Sequence, residues 1–250
     1  MKVLFSDLDQ TVIYSHRHPL PGETLVMEYL NGREQSFIQA ENLAVLRDFC
    51  AGDDRLFVPL TTRTEAQYQR LSPLQEALGY RYALLCNGAV LYDCGIPDRA
   101  WAAESEQLAA PYQTVLKEVR SLLLSQAEPE HVHDILPFLL YVSTENPELP
   151  ELVKQRCCGT GVDVLQSGKK LYCIPAPLSK GEAVRRFTER FGIAQTYAIG
   201  DSLFDVPMLR ACRRAFAPAE IAALLPQAMP LTQPFSMREV IAAMYREDSL

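Results

Sequence analysis

The stretch VLFSDLDQTV, residues 3–12, contains an apolar run that leads into two aspartates, Asp7 and Asp9. The nearly continuous apolar character of Val3–Leu8 predicts a strand that is covered on both faces. Side chains alternate along a strand, so Asp7 and Asp9 are expected to face the same way. Two neighbouring carboxylates at the end of a buried strand repel each other and lose hydration. The pattern therefore favours a functional site, and the alternative is that both residues only cap a loop.

The two ends of the chain alternate between strand-like and helix-like segments. Further strands are predicted over Leu56–Leu60, Tyr82–Cys86 and Thr196–Ile199, which are mostly apolar. Helices are predicted over Glu41–Cys50 and Lys180–Phe191, where apolar residues recur at helical spacing. This alternation predicts an α/β fold with a Rossmann-like parallel sheet as its core and helices on both faces.

The middle of the chain has a different pattern. A short strand is predicted over Ala89–Asp93, followed by one long amphipathic helix over Glu104–Ser125. The remaining elements are a helix and four strands, predicted over His131–Ile135, Phe138–Thr144, Glu148–Cys157, Val162–Gln166 and Lys170–Ile174. These elements predict an inserted α+β cap domain over residues 88–175, between core segments 1–87 and 176–250.

Composition limits the classes of function. The 250 residues are 48% hydrophobic and carry a formal net charge of −7, which argues against a nucleic-acid partner because phosphate backbones require a basic face. No stretch approaches the about 20 apolar residues of a membrane helix, and the N-terminus resembles a strand and not a signal peptide. The seven cysteines lack metal-type CxxC spacing, which predicts reduced thiols and a cytoplasmic location.

Polar residues follow the predicted core strands or begin a core helix. Ligands of open parallel sheets bind beyond the carboxyl ends of the strands, so these residues are expected to gather there with the two aspartates. They are Thr61, Lys180, Asp201 and Asp205. Four carboxylates in one pocket require cations to stay ionised. Lys180 supplies one positive charge, and Mg²⁺ is the predicted second cation because it prefers oxygen ligands.

Five motifs together resemble the haloacid dehalogenase superfamily of aspartate-nucleophile phosphatases. In chain order they are DLDQT (residues 7–11), TTR (61–63), NGA (87–89), SKGEA (179–183) and GDSLFD (200–205). The position of the insert resembles the branch of subclass IIB, which carries a large α+β cap after the third core strand. That branch includes the Cof-type sugar phosphatases and sucrose-phosphate phosphatase. The cap segment matches in size and pattern, and no motif is recognised within it.

The resemblance implies roles for the catalytic residues. Asp7 is the expected nucleophile, which forms an aspartyl-phosphate. Asp9 is expected to protonate the leaving oxygen and then to activate the water that hydrolyses this intermediate. Thr61 is expected to hydrogen-bond the transferring phosphoryl group, and Lys180 is expected to neutralise charge between Asp7 and the phosphate.

The resemblance also implies the cation ligands. Mg²⁺ is expected to be held by Asp7, by the backbone carbonyl of Asp9 and by Asp201. Asp205 is expected to ligate the ion or to orient its waters.

Three further residues are the predicted substrate-binding residues: Thr62, Arg63 and Asn87. Arg63 is expected either to contact substrate or to pair with an acid at the edge of the core. Asn87 is followed by glycine, and Asn-Gly is a common turn dipeptide, so a pure turn is the alternative interpretation.

Three residues depart from the usual motifs of the superfamily. Gln10 and Thr62 stand where glycine is usual, and Phe204 stands where asparagine is common. Each substitution leaves the charged groups intact, and each is expected to narrow the pocket or to weaken the support of the ligands.

The expected function is a Mg²⁺-dependent phosphomonoester hydrolase acting on a small soluble metabolite, with a sugar phosphate as the substrate class. The cap is expected to close over the substrate, to exclude water and to set specificity. One alternative is a phosphomutase with the same nucleophile. Another is a binding or regulatory protein that kept the fold and lost turnover.

Overall fold

The computed structural model describes residues 1–135 and 137–246; Leu136 of the predicted cap and residues 247–250 of the predicted core lie outside the described ranges. The strands in chain order are β1 (Lys2–Ser6), β2 (Tyr14–Ser15), β3 (Thr24–Leu30), β4 (Arg33–Gln39), β5 (Arg55–Pro59), β6 (Tyr82–Leu85), β7 (Val90–Asp93), β8 (Ile96–Pro97), β9 (Val132–Ile135), β10 (Leu139–Ser143), β11 (Val162–Ser167), β12 (Lys170–Pro175), β13 (Gln195–Ile199), β14 (Arg214–Ala217) and β15 (Ala228–Pro230). The helices are α1 (Ala40–Cys50), α2 (Glu65–Gln69), α3 (Ser72–Leu78), α4 (Arg99–Ala109), α5 (Gln113–Gln126), α6 (Leu149–Cys157), α7 (Lys180–Phe191), α8 (Val206–Ala211), α9 (Ala219–Ala222) and α10 (Met237–Arg246).

A five-stranded parallel sheet organises the first unit of the chain, with strand order β15–β14–β13–β1–β5. Strand β1 pairs in parallel with β13 on one side and with β5 on the other. All five residues of β1 are buried, as expected for a strand covered on both faces. The predicted α/β fold with a parallel sheet is confirmed.

Strand β1 is shorter than the sequence predicts. It ends at Ser6, because the chain turns back and the N–H groups of Val12 and Ile13 both donate to the carbonyl of Leu8 at 2.9 Å. Asp7 and Asp9 therefore lie in the loop beyond the strand. The predicted strand over Val3–Leu8 is therefore wrong at its C-terminal end, and strand alternation does not set the directions of these two side chains.

The chain divides into two compact units, residues 1–97 with 180–250 and residues 98–179. The sequence predicted borders after residues 87 and 175. Residues 88–97 belong to the first unit because β6, β7 and β8 form a single antiparallel sheet. The turn Ala176–Leu178 belongs to the second unit, where the N–H of Ala176 donates to the carbonyl of Gly161 at 2.9 Å.

The second unit contains a four-stranded antiparallel sheet, with strand order β11–β12–β10–β9. Buried apolar residues of α5, α6 and this sheet form one hydrophobic core, which includes Leu116, Leu140 and Val153. The prediction of one helix over Glu104–Ser125 is wrong. A turn at Ala110–Tyr112 separates α4 from α5, since Pro111 has no N–H to donate within a helix.

The β3–β4 hairpin of the first unit was not predicted from the sequence. Strands β2, β4 and β3 form a three-stranded antiparallel sheet between the first motif and α1. Asn31 and Gly32 join β3 to β4, and both have positive φ, at 52° and 73°. Asn-Gly between two strands is the strongest short-range signal for a hairpin, so this dipeptide is the signal in the sequence from which the turn could have been predicted.

Candidate active site

The carboxyl ends of three adjacent strands bring the motifs together. The N–H of Asp7 donates to the carbonyl of Ile199 at 3.0 Å, and the N–H of Leu60 donates to the carbonyl of Ser6 at 2.7 Å. Strands β13, β1 and β5 therefore end at the same level. Asp7, Thr61 and Asp201 follow these ends, at the edge where parallel sheets bind ligands.

Lys180 joins two of the acids at this edge. Its Nζ donates to Asp7 Oδ1 at 2.6 Å and to Asp205 Oδ1 at 2.7 Å, and Lys180 is only 1% exposed. A lysine in the first turn of α7 opposes the helix dipole, and the two carboxylates offset this cost. Burial alone lowers the pKa of Lys180, but Asp205 and Asp7 raise it above the ordinary value. Lys180 is therefore a buried cation.

Close packing fixes the position of Lys180. A Cβ atom on Gly181 would lie 2.6 Å from the carbonyl oxygen of Pro207 at the start of α8. Only glycine therefore permits this approach of α7 to α8.

Asp205 holds the loop that carries Asp201. Its Oδ2 accepts hydrogen bonds from the N–H of Asp201 at 3.1 Å and from the N–H and hydroxyl of Ser202, both at 3.0 Å. Asp205 is completely buried, and both of its carboxylate oxygens accept hydrogen bonds. It therefore links Lys180 to the loop backbone. Ser202 is a site residue that the sequence analysis did not single out.

The acidic group fits a hard divalent cation. One carboxylate oxygen from each of Asp7, Asp201 and Asp205 lies within 4.8 Å of the other two. In the described part of the chain no other such group of three ligating side chains occurs. Carboxylate oxygens are the ligands that Mg²⁺ prefers. The predicted ligands Asp7, Asp201 and Asp205 therefore lie together, whereas the carboxylate of Asp9 is not part of this group.

The pKa shifts in this group have electrostatic causes. Burial raises the pKa of Asp7 well above its usual range; Lys180 opposes this shift, and Asp205 and Asp201 add to it. Burial and the nearby Asp205 raise the pKa of Asp201 to about 7. The hydroxyl of Thr11 donates to Asp201 Oδ1 at 3.4 Å, a contact that the sequence analysis missed. The raised pKa values mean that Lys180 alone does not keep all three acids ionised, and a divalent cation would favour their ionised forms.

Asp9 is paired with Arg63. The Nε and Nη2 of Arg63 donate to Asp9 Oδ2 and Oδ1, both at 2.8 Å, and the side chain of Asp9 is 49% exposed. Arg63 also donates to Glu28 Oε2 at 2.9 Å. Of the two interpretations of Arg63, the structure shows the acid pair. Glu28 was not predicted as a site residue, because the hairpin that carries it was not predicted.

The remaining predicted residues lie around Thr61. Thr61 is completely buried, and its Oγ1 accepts a hydrogen bond from the N–H of Arg63 at 3.1 Å. The carbonyl of Thr61 accepts from the N–H of Asn87 at 2.8 Å, and Asn87 lies in a turn at a φ of 62°. Thr62 is half-buried beside them. The turn interpretation of Asn87 agrees with this geometry, and substrate contacts by Thr62 and Asn87 stay predictions.

The departures from the motifs have different structural settings. Gln10 adopts a positive φ of 61°, a conformation that favours glycine, and its N–H donates to the carbonyl of Ile13 at 2.8 Å. Phe204 is buried at 7% exposure and therefore adds apolar packing to its loop. The strain at Gln10 explains why glycine suits this position.

Replacing Gln10 with glycine is expected to raise the free energy of unfolding by about 0.5–1 kcal/mol, because glycine adopts the left-handed conformation without a Cβ penalty. The comparison is a urea titration of the natural protein and the variant. Gln10→Ala keeps the penalty and is expected to bring no stabilisation. Equal stabilisation by both substitutions would show that backbone strain at residue 10 is not the cause.

Comparison with known families gives a partial sequence match. The family model of haloacid dehalogenase-like hydrolases matches residues 104–222, a segment that contains Lys180, Asp201 and Asp205. No curated protein matches the chain at a significant level. In the described part of the chain, no helix is both long and apolar enough to cross a membrane.

Comparison with solved structures covers the whole chain. The sucrose-phosphatase of Synechocystis, in complex with sucrose and phosphate, is 17% identical with a TM-score of 0.65, over 97% of each chain. A sugar phosphatase of haloacid dehalogenase subclass IIB is 14% identical with a TM-score of 0.62, over 100% of each chain. Trehalose-6-phosphate phosphatase of Aspergillus fumigatus is 14% identical with a TM-score of 0.57, over 100% of this chain and 93% of that one.

These structural likenesses show the fold, an α/β core with an α+β unit inserted in its sequence. Residues 104–222 match haloacid dehalogenase-like hydrolases in sequence, and to this extent the predicted resemblance to that superfamily is confirmed.

Proposed function

We propose that this chain is a Mg²⁺-dependent phosphomonoester hydrolase that forms an aspartyl-phosphate on Asp7. The observation that supports it most directly is the buried ammonium of Lys180, which lies 2.6 Å from Asp7 Oδ1. A buried cation beside a carboxylate stabilises the charge of a phosphoryl group as it approaches that carboxylate. A carboxylate that served only structure would not require two further acids within 4.8 Å.

The first step transfers the phosphoryl group to Asp7. Lys180 holds Oδ1, so we assign Oδ2 of Asp7 to attack the phosphorus. The bond between phosphorus and the ester oxygen breaks, and Asp9 gives a proton to the leaving oxygen. Thr61, whose Oγ1 is oriented by the N–H of Arg63, donates its hydroxyl proton to a phosphoryl oxygen.

The second step releases inorganic phosphate. Asp9 takes a proton from a water molecule, whose oxygen attacks the phosphorus, and the bond to Asp7 Oδ2 breaks. The carboxylate of Asp7 is then restored. Mg²⁺, held by Asp7, Asp201, Asp205 and the backbone carbonyl of Asp9, would supply positive charge that offsets these acids and the phosphate.

The proposed substrate is a small soluble phosphorylated metabolite, with a sugar phosphate as its class. Proteins of similar fold include a sucrose-phosphatase, a trehalose-6-phosphate phosphatase and a subclass IIB sugar phosphatase. We assign the choice of substrate to residues 98–179, the separate α+β unit, and we assign the protein to the cytoplasm. Nucleic acid is not a proposed partner, because the net charge is −7.

The test is release of inorganic phosphate from a panel of sugar phosphates, with Mg²⁺ and with a chelator. Asp7→Asn is expected to lower turnover by about 10³-fold or more, since it removes the nucleophile. Asp54→Asn is the matched control, because the side chain of Asp54 is 72% exposed and should leave turnover unchanged. The chelator is expected to abolish turnover of the natural protein.

Other outcomes favour the alternatives. Turnover that survives in Asp7→Asn would exclude the aspartyl-phosphate. A requirement for a bisphosphate activator, with phosphate returned to the sugar, would identify a phosphomutase. Mg²⁺ binding without turnover of any ester would favour a binding or regulatory protein.

A further inference from the structure

The guanidinium of Arg63 is held on two sides. One side donates two parallel hydrogen bonds to the carboxylate of Asp9, both at 2.8 Å. The other side is fixed by Glu28 Oε2 at 2.9 Å and by the carbonyl of Gln67 at 3.3 Å. Arg63 is 9% exposed and the side chain of Glu28 is 4% exposed. Few orientations are therefore open to this guanidinium.

Glu28 is in turn fixed by the hairpin. It lies on β3 opposite Ser36 of β4, and the Ser36 hydroxyl donates to Glu28 Oε2 at 2.6 Å. The Nε of Arg70 donates to the other oxygen of Glu28 at 2.9 Å. Burial raises the pKa of Glu28, but hydrogen bonds from Arg63 and Ser36 outweigh burial and lower it. The hairpin therefore places a buried anion behind Arg63.

We propose that Arg63 is a positioning residue that orients the carboxylate of Asp9, and that Glu28 in turn orients the guanidinium of Arg63. This inference rests on the proposed function, in which Asp9 moves protons. Two parallel hydrogen bonds fix the plane of a carboxylate as well as its position. Each carboxylate oxygen has two lone-pair sites, so the pair with Arg63 leaves Asp9 a site for the proton. The ammonium of a lysine cannot form this bidentate pair.

If Arg63 orients Asp9, its replacement is expected to slow the hydrolysis of esters with poor leaving groups more than that of esters with good ones. Without the two parallel hydrogen bonds from Arg63, the Asp9 carboxylate rotates away from this orientation, and its proton donation to the leaving oxygen becomes slower. Phenyl phosphate has a poor leaving group that depends on this proton, whereas the leaving group of dinitrophenyl phosphate departs without it. A misplaced acid costs about 10–100-fold in rate.

The experiment is a single-turnover measurement with enzyme in excess, in which release of the phenol reports on the first step alone. Arg63→Lys is expected to lower the rate of phenol release from phenyl phosphate by about 10–100-fold. The rate for dinitrophenyl phosphate is expected to fall by less than about threefold, and the KM values for both esters are expected to stay nearly unchanged. Glu28→Gln, which keeps the shape of the side chain, is expected to show the same selectivity with a smaller loss. It also tests the inference if Arg63→Lys does not fold.

Arg81→Lys is the matched control. Arg81 forms the same kind of pair with Asp93, at 2.7 and 3.0 Å, but on the surface. Both esters are expected to react at the natural rate in this variant.

Each contrary result has its own meaning. Equal losses for the two esters would reduce Arg63 to a structural residue and overturn the inference. A raised KM with unchanged rate at saturation would make Arg63 a substrate contact, which also overturns it. A natural protein that turns over neither these two esters nor any sugar phosphate of the panel would contradict the proposed function itself and this inference with it.

Discussion

Replacing Lys180 with methionine is expected to lower the free energy of unfolding by about 3–5 kcal/mol, the cost of leaving a buried charge without its partner. Lys180 is 1% exposed and donates to both Asp7 and Asp205. Methionine fills a similar volume, so the loss reports mainly on charge. The measurement is guanidinium unfolding of the natural protein and the variant in the presence of chelator, because a bound cation would offset the lost charge.

A second substitution separates charge from packing. If uncompensated carboxylates cause the loss, then adding Asp7→Asn to Lys180→Met should recover part of the stability, since one of the two acids becomes neutral. Lys169→Met is the control, because Lys169 is exposed and forms an ion pair with the exposed Glu145. It is expected to unfold like the natural protein. A double variant no more stable than Lys180→Met alone would attribute the loss to packing.

Much of the core fold could be predicted from the sequence, because its elements are long and regular in pattern. The helix over Lys180–Phe191 is observed with the predicted bounds, and the strand predicted over Thr196–Ile199 begins one residue earlier, at Gln195. Local backbone chemistry explains the failures. Pro111 interrupts a helix whose apolar pattern continues on both sides of it. The hairpin strands joined by Asn31 carry too many polar residues to be predicted as buried strands.

The candidate site could be predicted in part, for a topological reason. Residues that follow parallel strands meet at one edge, so Asp7, Thr61 and Asp201 could be expected together before any distance was known. The partners of Arg63 could not. They depend on the register of the β3–β4 hairpin, which places Glu28 opposite Ser36, and register is not visible in a mixed polar pattern.

Replacing Gly200 with alanine is expected to lower the free energy of unfolding by about 3 kcal/mol, the upper part of the usual range for overpacking. The added Cβ would lie 2.4 Å from the Cβ and 2.5 Å from the Cγ of Asp205. Moving Asp205 away would cost free energy, because it is completely buried and forms hydrogen bonds with Lys180 and Ser202. The substitution is measured by urea unfolding.

The same change should disturb the proposed cation site, because Asp205 holds the loop that carries Asp201. Mg²⁺ affinity, measured by calorimetry below the unfolding transition, is expected to fall about 10–100-fold, as when the groups that orient metal ligands are lost. Gly52→Ala is the control, since the three atoms nearest to its added Cβ all belong to the side chain of Arg55, which can swing aside. Natural Mg²⁺ affinity in Gly200→Ala would mean that the loop relaxes around the new methyl group and that Asp205 does not control the position of Asp201.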